Sequence, residues 1–250
     1  MSRSETRIHL PGPLSAGTTI NAPDETVRHL RARRLRAGDA LTVFDGKGGE
    51  YAARVDTLER RDARLTLTEH RLRESEPPRP FLLLQGVAKG DRMDFAVQKG
   101  VELGMTRMIP VITARSTVRL GDERAARRRA HWERVAISAC EQCGRNRIPR
   151  IDTPCTLETA WSMTADHSGV VLDPDGGTSI SDLPAPDGGI ALLVGPEGGL
   201  SNGEVEEAAG QGFARLALGP RILRAETAGI AALTLLQARF GDLAQGDRTF

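Results

Sequence analysis

Residues 190–208, IALLVGPEGGLSNGEVEEA, contain the chain's most informative spacing of residue types. An apolar run ends in Gly195-Pro196-Glu197-Gly198-Gly199. Ser201 then opens a helical pattern with Glu204 three residues on, the arrangement of a capping box. A loop this rich in glycine lets a ligand approach the backbone closely, and open α/β sheets bind their ligands beyond the carboxyl ends of strands. The spacing is neither GxGxxG nor GxxxxGK followed by Ser or Thr, which removes the dinucleotide and nucleoside-triphosphate fingerprints. Glu197, Glu204, Glu206 and Glu207 would repel a pyrophosphate, so an uncharged or cationic ligand fits better. Taken alone, the segment is equally satisfied by a tight turn with no ligand.

A second segment repeats the scheme. ARLALGPRILRAETAGIAALTLLQARF, residues 214–240, reads as a strand ending at Leu218-Gly219-Pro220, an irregular stretch from Arg221 to Glu226, and a helix from Thr227. Arg221 and Arg224 flank Ile222 and Leu223, with Glu226 and Thr227 in the helix's first turn. Apolar walls with a few polar tips are the composition of a small-molecule site. Helix capping is the competing role for Glu226 and Thr227.

Other candidates are weaker. Arg28, Arg31, Arg33, Arg34 and Arg36 lie close to a turn at Gly38-Asp39, where they suit phosphate groups or simply a solvated face. Lys89, Arg92, Lys99 and Glu102 form a charged group at helical spacing, with structural ion pairing as the plain reading. Glu141-Gln142 and Arg145-Asn146-Arg147 form a polar cluster at a helix end. Cys140 and Cys143 make a lone CxxC, too little for a metal site without a second pair, so no metal is expected.

These residues need elements to hold them. LTVF, EYAARV and ARLTLTEHRL, with turns at Asp45-Gly46 and Gly48-Gly49, predict a small barrel-like β domain over residues 1–75. ESEPPRP, Glu74 to Pro80, holds three prolines and reads as the linker. Beyond it, FLLLQGVA, MIPVITA, GVVLD, IALLVG and ARLALG read as strands. Helices are expected over DRMDFAVQKGVELG and at Arg124 to Cys143, Ser201 to Gln211 and Thr227 to Phe240. That alternation predicts a parallel α/β sheet over residues 76–250.

Composition bounds the reading. The chain has 250 residues, 39% hydrophobic and 27% charged, which is the profile of an ordinary globular protein. No apolar run approaches the roughly 20 residues needed to cross a bilayer, and three cysteines form no secreted framework. A cytoplasmic protein is expected. Of 34 basic residues 31 are Arg, either a preference for phosphate-binding forks or the codon usage of a GC-rich genome. Codon usage does not explain the clustering: residues 107–150 hold 11 Arg against 4 acids, and residues 151–217 hold 11 acids against Arg215.

GPEGGLSNGE together with LGPRILRAETA is similar to the paired C-terminal motifs of the SPOUT-class methyltransferases. More specifically it resembles the RsmE family, which methylates N3 of one uridine in 16S ribosomal RNA. LLQGVAKGDRMDFAVQKGVELG, IPVITARSTVRL, HWERVAISACEQCGRNRIP and VLDPDG resemble the family's other blocks in the same order, and LRARRLRAGDALTVFDGKGGEY its PUA-like RNA-binding domain. The resemblance implies S-adenosyl-L-methionine held in a deep C-terminal trefoil knot, a homodimer, and 16S ribosomal RNA in the small subunit as partner, with no membrane. It implies cofactor contacts at Leu172, Pro174, Gly195, Pro196, Glu197, Gly198, Gly199, Ser201, Leu218, Gly219, Ile222, Leu223, Arg224 and Thr227. RNA contacts follow at Arg31, Arg34, Lys89, Arg92 and Arg145. Glu226 as base, with Arg224 or Arg221 stabilising a uracil anion, is the expected catalytic set. The alternatives are a ribosome-assembly or RNA-chaperone protein that retains the fold, and a knotted methyltransferase of transfer RNA ribose.

Overall fold

The computed structural model describes residues 6–116 and 121–245. In chain order its elements are β1 (Arg7–His9), β2 (Thr19–Asn21), α1 (Asp24–Ala32), β3 (Ala40–Phe44), β4 (Glu50–Leu58) and β5 (Ala63–Arg71). Next come β6 (Phe81–Gly86), α2 (Asp91–Glu102), β7 (Arg107–Ile112), α3 (Asp122–Cys143), β8 (Arg150–Ile151), β9 (Cys155–Thr156) and α4 (Leu157–Trp161). The last are β10 (His167–Leu172), β11 (Gly189–Val194), α5 (Asn202–Gly210), β12 (Ala214–Leu216) and α6 (Ala225–Phe240). Among the described residues no helix is long and apolar enough to cross a membrane.

The chain divides into two compact units, one of Met1–Glu76 with Cys140–Ile148 and one of Pro77–Ala139 with Pro149–Phe250. In the first, five strands form one sheet in the order β1-β3-β4-β5-β2. The β3-β4-β5 meander and β2 run antiparallel, and β1 lies parallel to β3. The strand path is open, and no ladder joins β1 to β2 among the described residues, so the expected barrel takes the form of a five-stranded sheet. Alternation sends Leu41, Val43, Val55, Leu65 and Leu67 inward, where they pack with Val27 and Leu30 of α1. Each such side chain contributes about 1.5–3 kcal/mol on burial.

Helix α1 corrects the expectation of strands alone before residue 75. Asp24 and Glu25 sit in its first turn and His29 and Arg31 in its last, matching the helix dipole. Val27 and Leu30, three residues apart, supply its buried face.

The second unit carries a parallel sheet ordered β12-β10-β11-β6-β7-β8, with β9 also paired to β7. All six residues of β6 and all six of β11 are buried, as strands covered on both faces must be. The first strand in sequence, β6, stands inside the order: the chain runs outward through β7 to β8, then crosses to the other side, where it lays down β10, fills β11 in between β10 and β6, and ends at the edge strand β12. Such a reversal opens a crevice outside the carboxyl ends of the strands. From the edge strand β12 the chain doubles back, and α6 packs against β11, β10 and α2.

Candidate active site

Three strand-to-helix loops of the second unit meet at that crevice. After β10, the Asp173 backbone N–H donates to Leu216 O at 3.1 Å, and its carboxylate accepts from Asp175 N at 3.1 Å and from Arg215 Nε at 2.8 Å. The Asp173 hydrogen bond raises the Arg215 pKa, and the pair ties this loop to β12.

After β11, the loop passes so close to the end of β6 that a Cβ at Gly86 would collide with Pro196 N, and only glycine admits this approach. Gln85 Nε2 donates to Gly86 O at 3.2 Å and Gly195 O at 3.4 Å, fixing the same crossing. Glu197 Oε1 accepts from Lys89 N at 3.0 Å and Arg92 Nη1 at 2.6 Å. Burial pushes the Glu197 carboxyl up, but the Lys89 N–H, its own N–H and Arg92 together outweigh it and hold the acid below the usual carboxylate range. The Ser201–Glu204 capping box forms as the spacing predicts, Ser201 Oγ accepting from Glu204 N and the Glu204 carboxylate accepting from Ser201 N.

The third loop leads into α6, with Arg224 at its N-cap and Glu226 in its first turn. Glu226 Oε1 stands 3.8 Å from Arg92 Nε, while Oε2 is buried with no hydrogen-bond partner.

Together these loops enclose a cavity of about 680 Å³. Of the sequence-derived cofactor residues, Leu172, Pro174, Gly195 to Gly199, Ile222, Leu223 and Arg224 line it, as does Glu226. Ser201, Leu218, Gly219 and Thr227 do not, Ser201 being spent on the α5 cap. Arg221 lies outside the lining, at the exposed tip of its loop. Sequence reasoning missed Arg115, Asp175, Val194, Asn202 and Val205 among the lining residues. Asp175 had a signal, an acidic residue just beyond Pro174 after a strand. Arg115 lies in the family-like block IPVITARSTVRL after β7.

The RNA candidates separate. Arg31 is exposed on α1, donating to Arg60 O at 3.2 Å, and Arg34 is exposed just beyond with a left-handed φ of 60°. Lys89 is exposed, while Arg92 turns into the cavity to meet Glu197 and Glu226. Arg145 runs against the expectation of an exposed contact: it is 3% exposed and clasps Glu76 through Nε and Nη2 at 3.1 and 2.5 Å. A long cation is rarely buried unless paired, and this one serves the interior of the first unit. Cys140 is buried, and burial pushes its thiol up to about 12, which leaves it inert.

A cavity with carboxylates, apolar walls and a close-packed glycine loop is a site for a small ligand with cationic character. The two parts of the chain match the models of an RNA methyltransferase domain, residues 75–237, and an RNA methyltransferase PUA domain, residues 22–68. That sets the class. The chain is 31% identical to the ribosomal RNA small subunit methyltransferase E of Buchnera aphidicola over 97% of its own length and 100% of the relative's. It superposes on the crystal structure of the Neisseria gonorrhoeae ribosomal RNA small subunit methyltransferase E bound to S-adenosyl methionine with a TM-score of 0.90, at 39% identity over 95% of this chain and 99% of that one. A Legionella pneumophila structure in complex with the same cofactor gives 0.92 at 35% identity, over 96% and 100%. The chain belongs to the ribosomal RNA small subunit methyltransferase E family.

Proposed function

We propose that this protein transfers a methyl group from S-adenosyl-L-methionine to N3 of one uridine in 16S ribosomal RNA, acting on the assembled small subunit in the cytoplasm. The observation that carries the reading is the cavity of about 680 Å³ beside the glycine loop, lined by Glu226, whose Oε2 has no hydrogen-bond partner. The residues present suit this cofactor: the apolar Leu172, Val194, Ile222 and Leu223 wall a nucleoside, and Asp175 and Glu226 face a cationic ligand.

When bound, the cofactor supplies an electrophilic methyl group on a sulfonium. Uridine N3 becomes a nucleophile only on losing its proton, which the Glu226 carboxylate would accept as N3 takes the methyl group from the sulfonium. Arg224, exposed at the cavity edge and without a carboxylate partner among the described residues, stabilises the uracil oxygen where negative charge develops. Arg221, beyond the lining, suits a backbone phosphate better than the base. Arg92 keeps Glu197 and Glu226 in place. The target base must be unpaired or flipped out to reach the cavity.

The reading extends to the architecture. Residues 1–75 serve as a PUA-like RNA-binding domain and residues 76–250 as the methyltransferase domain. The return of α6 from the edge strand across β10 and β11 supports a trefoil knot there. Phe95 on α2 and Leu235 on α6, 44% and 40% exposed, support a homodimer seam.

The test incubates the protein with labelled S-adenosyl-L-methionine and small subunits lacking the modification, then digests the RNA for nucleoside mass spectrometry. Labelled 3-methyluridine at one site is expected, and Glu226→Gln should slow its formation by about 100- to 10,000-fold. A wild-type rate and pH profile in that variant would remove Glu226 as base; label on another nucleoside, or none, would overturn the substrate.

A further inference from the structure

The loop after β7 supplies a wall of the cavity with no role in the mechanism above. Ala114 N–H donates to Glu204 Oε1 at 2.7 Å, so the carboxylate that caps α5 also anchors this loop. Thr113 N–H donates to Ser116 Oγ at 3.0 Å and closes its turn. Arg115 then lies across the glycine loop, Nη1 donating to Gly198 O at 3.0 Å. A Cβ at Gly198 would stand 3.1 Å from the Arg115 Cβ, so the missing side chain leaves room for Arg115 to lie over the loop.

Charge pairing sets Arg115 and Arg224 apart from Arg92, and Arg224 is already assigned to the uracil oxygen. Within the cavity lining, Asp173 is paired with Arg215, and Glu197 with Arg92, which also faces Glu226. Arg115 bonds a carbonyl and has no carboxylate partner among the described residues. A guanidinium offers five N–H groups in a planar fork, and one bond to Gly198 leaves a bidentate face open. That face matches a carboxylate or a phosphate.

We propose that Arg115 receives the carboxylate at the amino-acid end of the methyl donor, an assignment that rests on the S-adenosyl-L-methionine reading above. The donor carries a sulfonium, an ammonium and a carboxylate. Asp175 and Glu226 suit its two cationic groups, and Arg115 is the lining cation whose one bond already reaches the glycine loop. Binding through Arg115 couples recognition of the amino-acid end to the position of Gly198. An RNA phosphate is the competing anion.

The test measures, by calorimetry and without RNA, the binding of S-adenosyl-L-methionine and of its decarboxylated analogue to wild type, Arg115→Gln and Arg115→Lys. The analogue keeps the nucleoside, sulfonium and ammonium. Arg115→Gln should weaken the parent cofactor by about 10- to 100-fold and leave the analogue within about twofold, with Lys recovering part of the loss. Equal weakening of both ligands would show that the loop had merely shifted without the Gly198 bond, and would overturn the assignment. So would unchanged cofactor affinity; weaker RNA binding with a shallower salt dependence, read in a separate titration of the same variant, would then give Arg115 to the RNA backbone. Failure of wild type to bind either ligand would sink the methyl-donor reading itself, an outcome distinct from the loss of Arg115's role alone.

Discussion

A carboxylate oxygen buried without a hydrogen-bond partner, as Glu226 Oε2 is, goes against the general satisfaction of buried polar groups and fits the role proposed for Glu226. Glu226 and Arg224 were legible in the sequence because both follow a strand end and open a helix, where ligand-facing polar groups collect. Arg145 shows the opposite case, a residue whose surroundings no local pattern reveals. Its neighbours Asn146 and Arg147 look like a surface cluster, yet Asn146 is wholly buried, accepting from Arg7 Nη2 at 2.5 Å and donating to Arg73 O at 2.6 Å. The partner of Arg145, Glu76, lies 69 positions away, beyond the reach of any local pattern. Arg145→Ala should therefore destabilise the first unit by about 3–5 kcal/mol, since Glu76 would lose its buried countercharge. Urea titration checks this; an unchanged midpoint with weaker RNA binding would restore the surface role.

At the scale of elements, the backbone crossing of the β6 end and the β11 loop positions the candidate site. Gly86→Ala should push Pro196 and the glycine loop aside, lowering cofactor affinity by about tenfold or more while costing about 1–3 kcal/mol of stability, as overpacking does. Calorimetry alongside thermal unfolding reads both. The Glu197 tether adds a pH dependence with a definite sign. Its folded-state pKa is depressed, so its stabilisation is fully present above the usual carboxylate range and is lost as pH falls through the lower folded value. Cofactor affinity should decline as pH falls below the usual carboxylate range in wild type, and Glu197→Gln should show a smaller decline. The strands around the site were readable from apolar runs, and α5 from its capping box. Helix α1 carries a signal too, Val27 and Leu30 repeating at helical spacing behind Asp24 and Glu25, but it is short and its polar face merges with the run of arginines that follows.

Across the whole molecule the sequence's split of charge has a structural counterpart. The acidic stretch 151–217 contributes Asp173, Asp175 and Glu197 to the cavity, while exposed Arg31 and Arg34 stand in the other unit. Replacing Arg31 and Arg34 together by Ala should weaken binding to the small subunit's RNA and reduce the slope of log affinity against log salt by about 1–2, without changing cofactor affinity. A parallel shift at unchanged slope would mean that neither touches phosphate.

The sequence by itself determined the apolar strands and the main helices around the site, and the family motifs. Hydrophobic period, glycine turns and helix caps act over a few neighbouring residues, and a linear reading captures them. Tertiary structure alone decided which charges meet. Arg92 reaches Glu197 across 105 positions, and Arg115 reaches Gly198 across 83, because β6, β7 and β11 are neighbours in the sheet. Strand order arises from how whole elements cover one another's apolar faces, and no spacing within a single element encodes it.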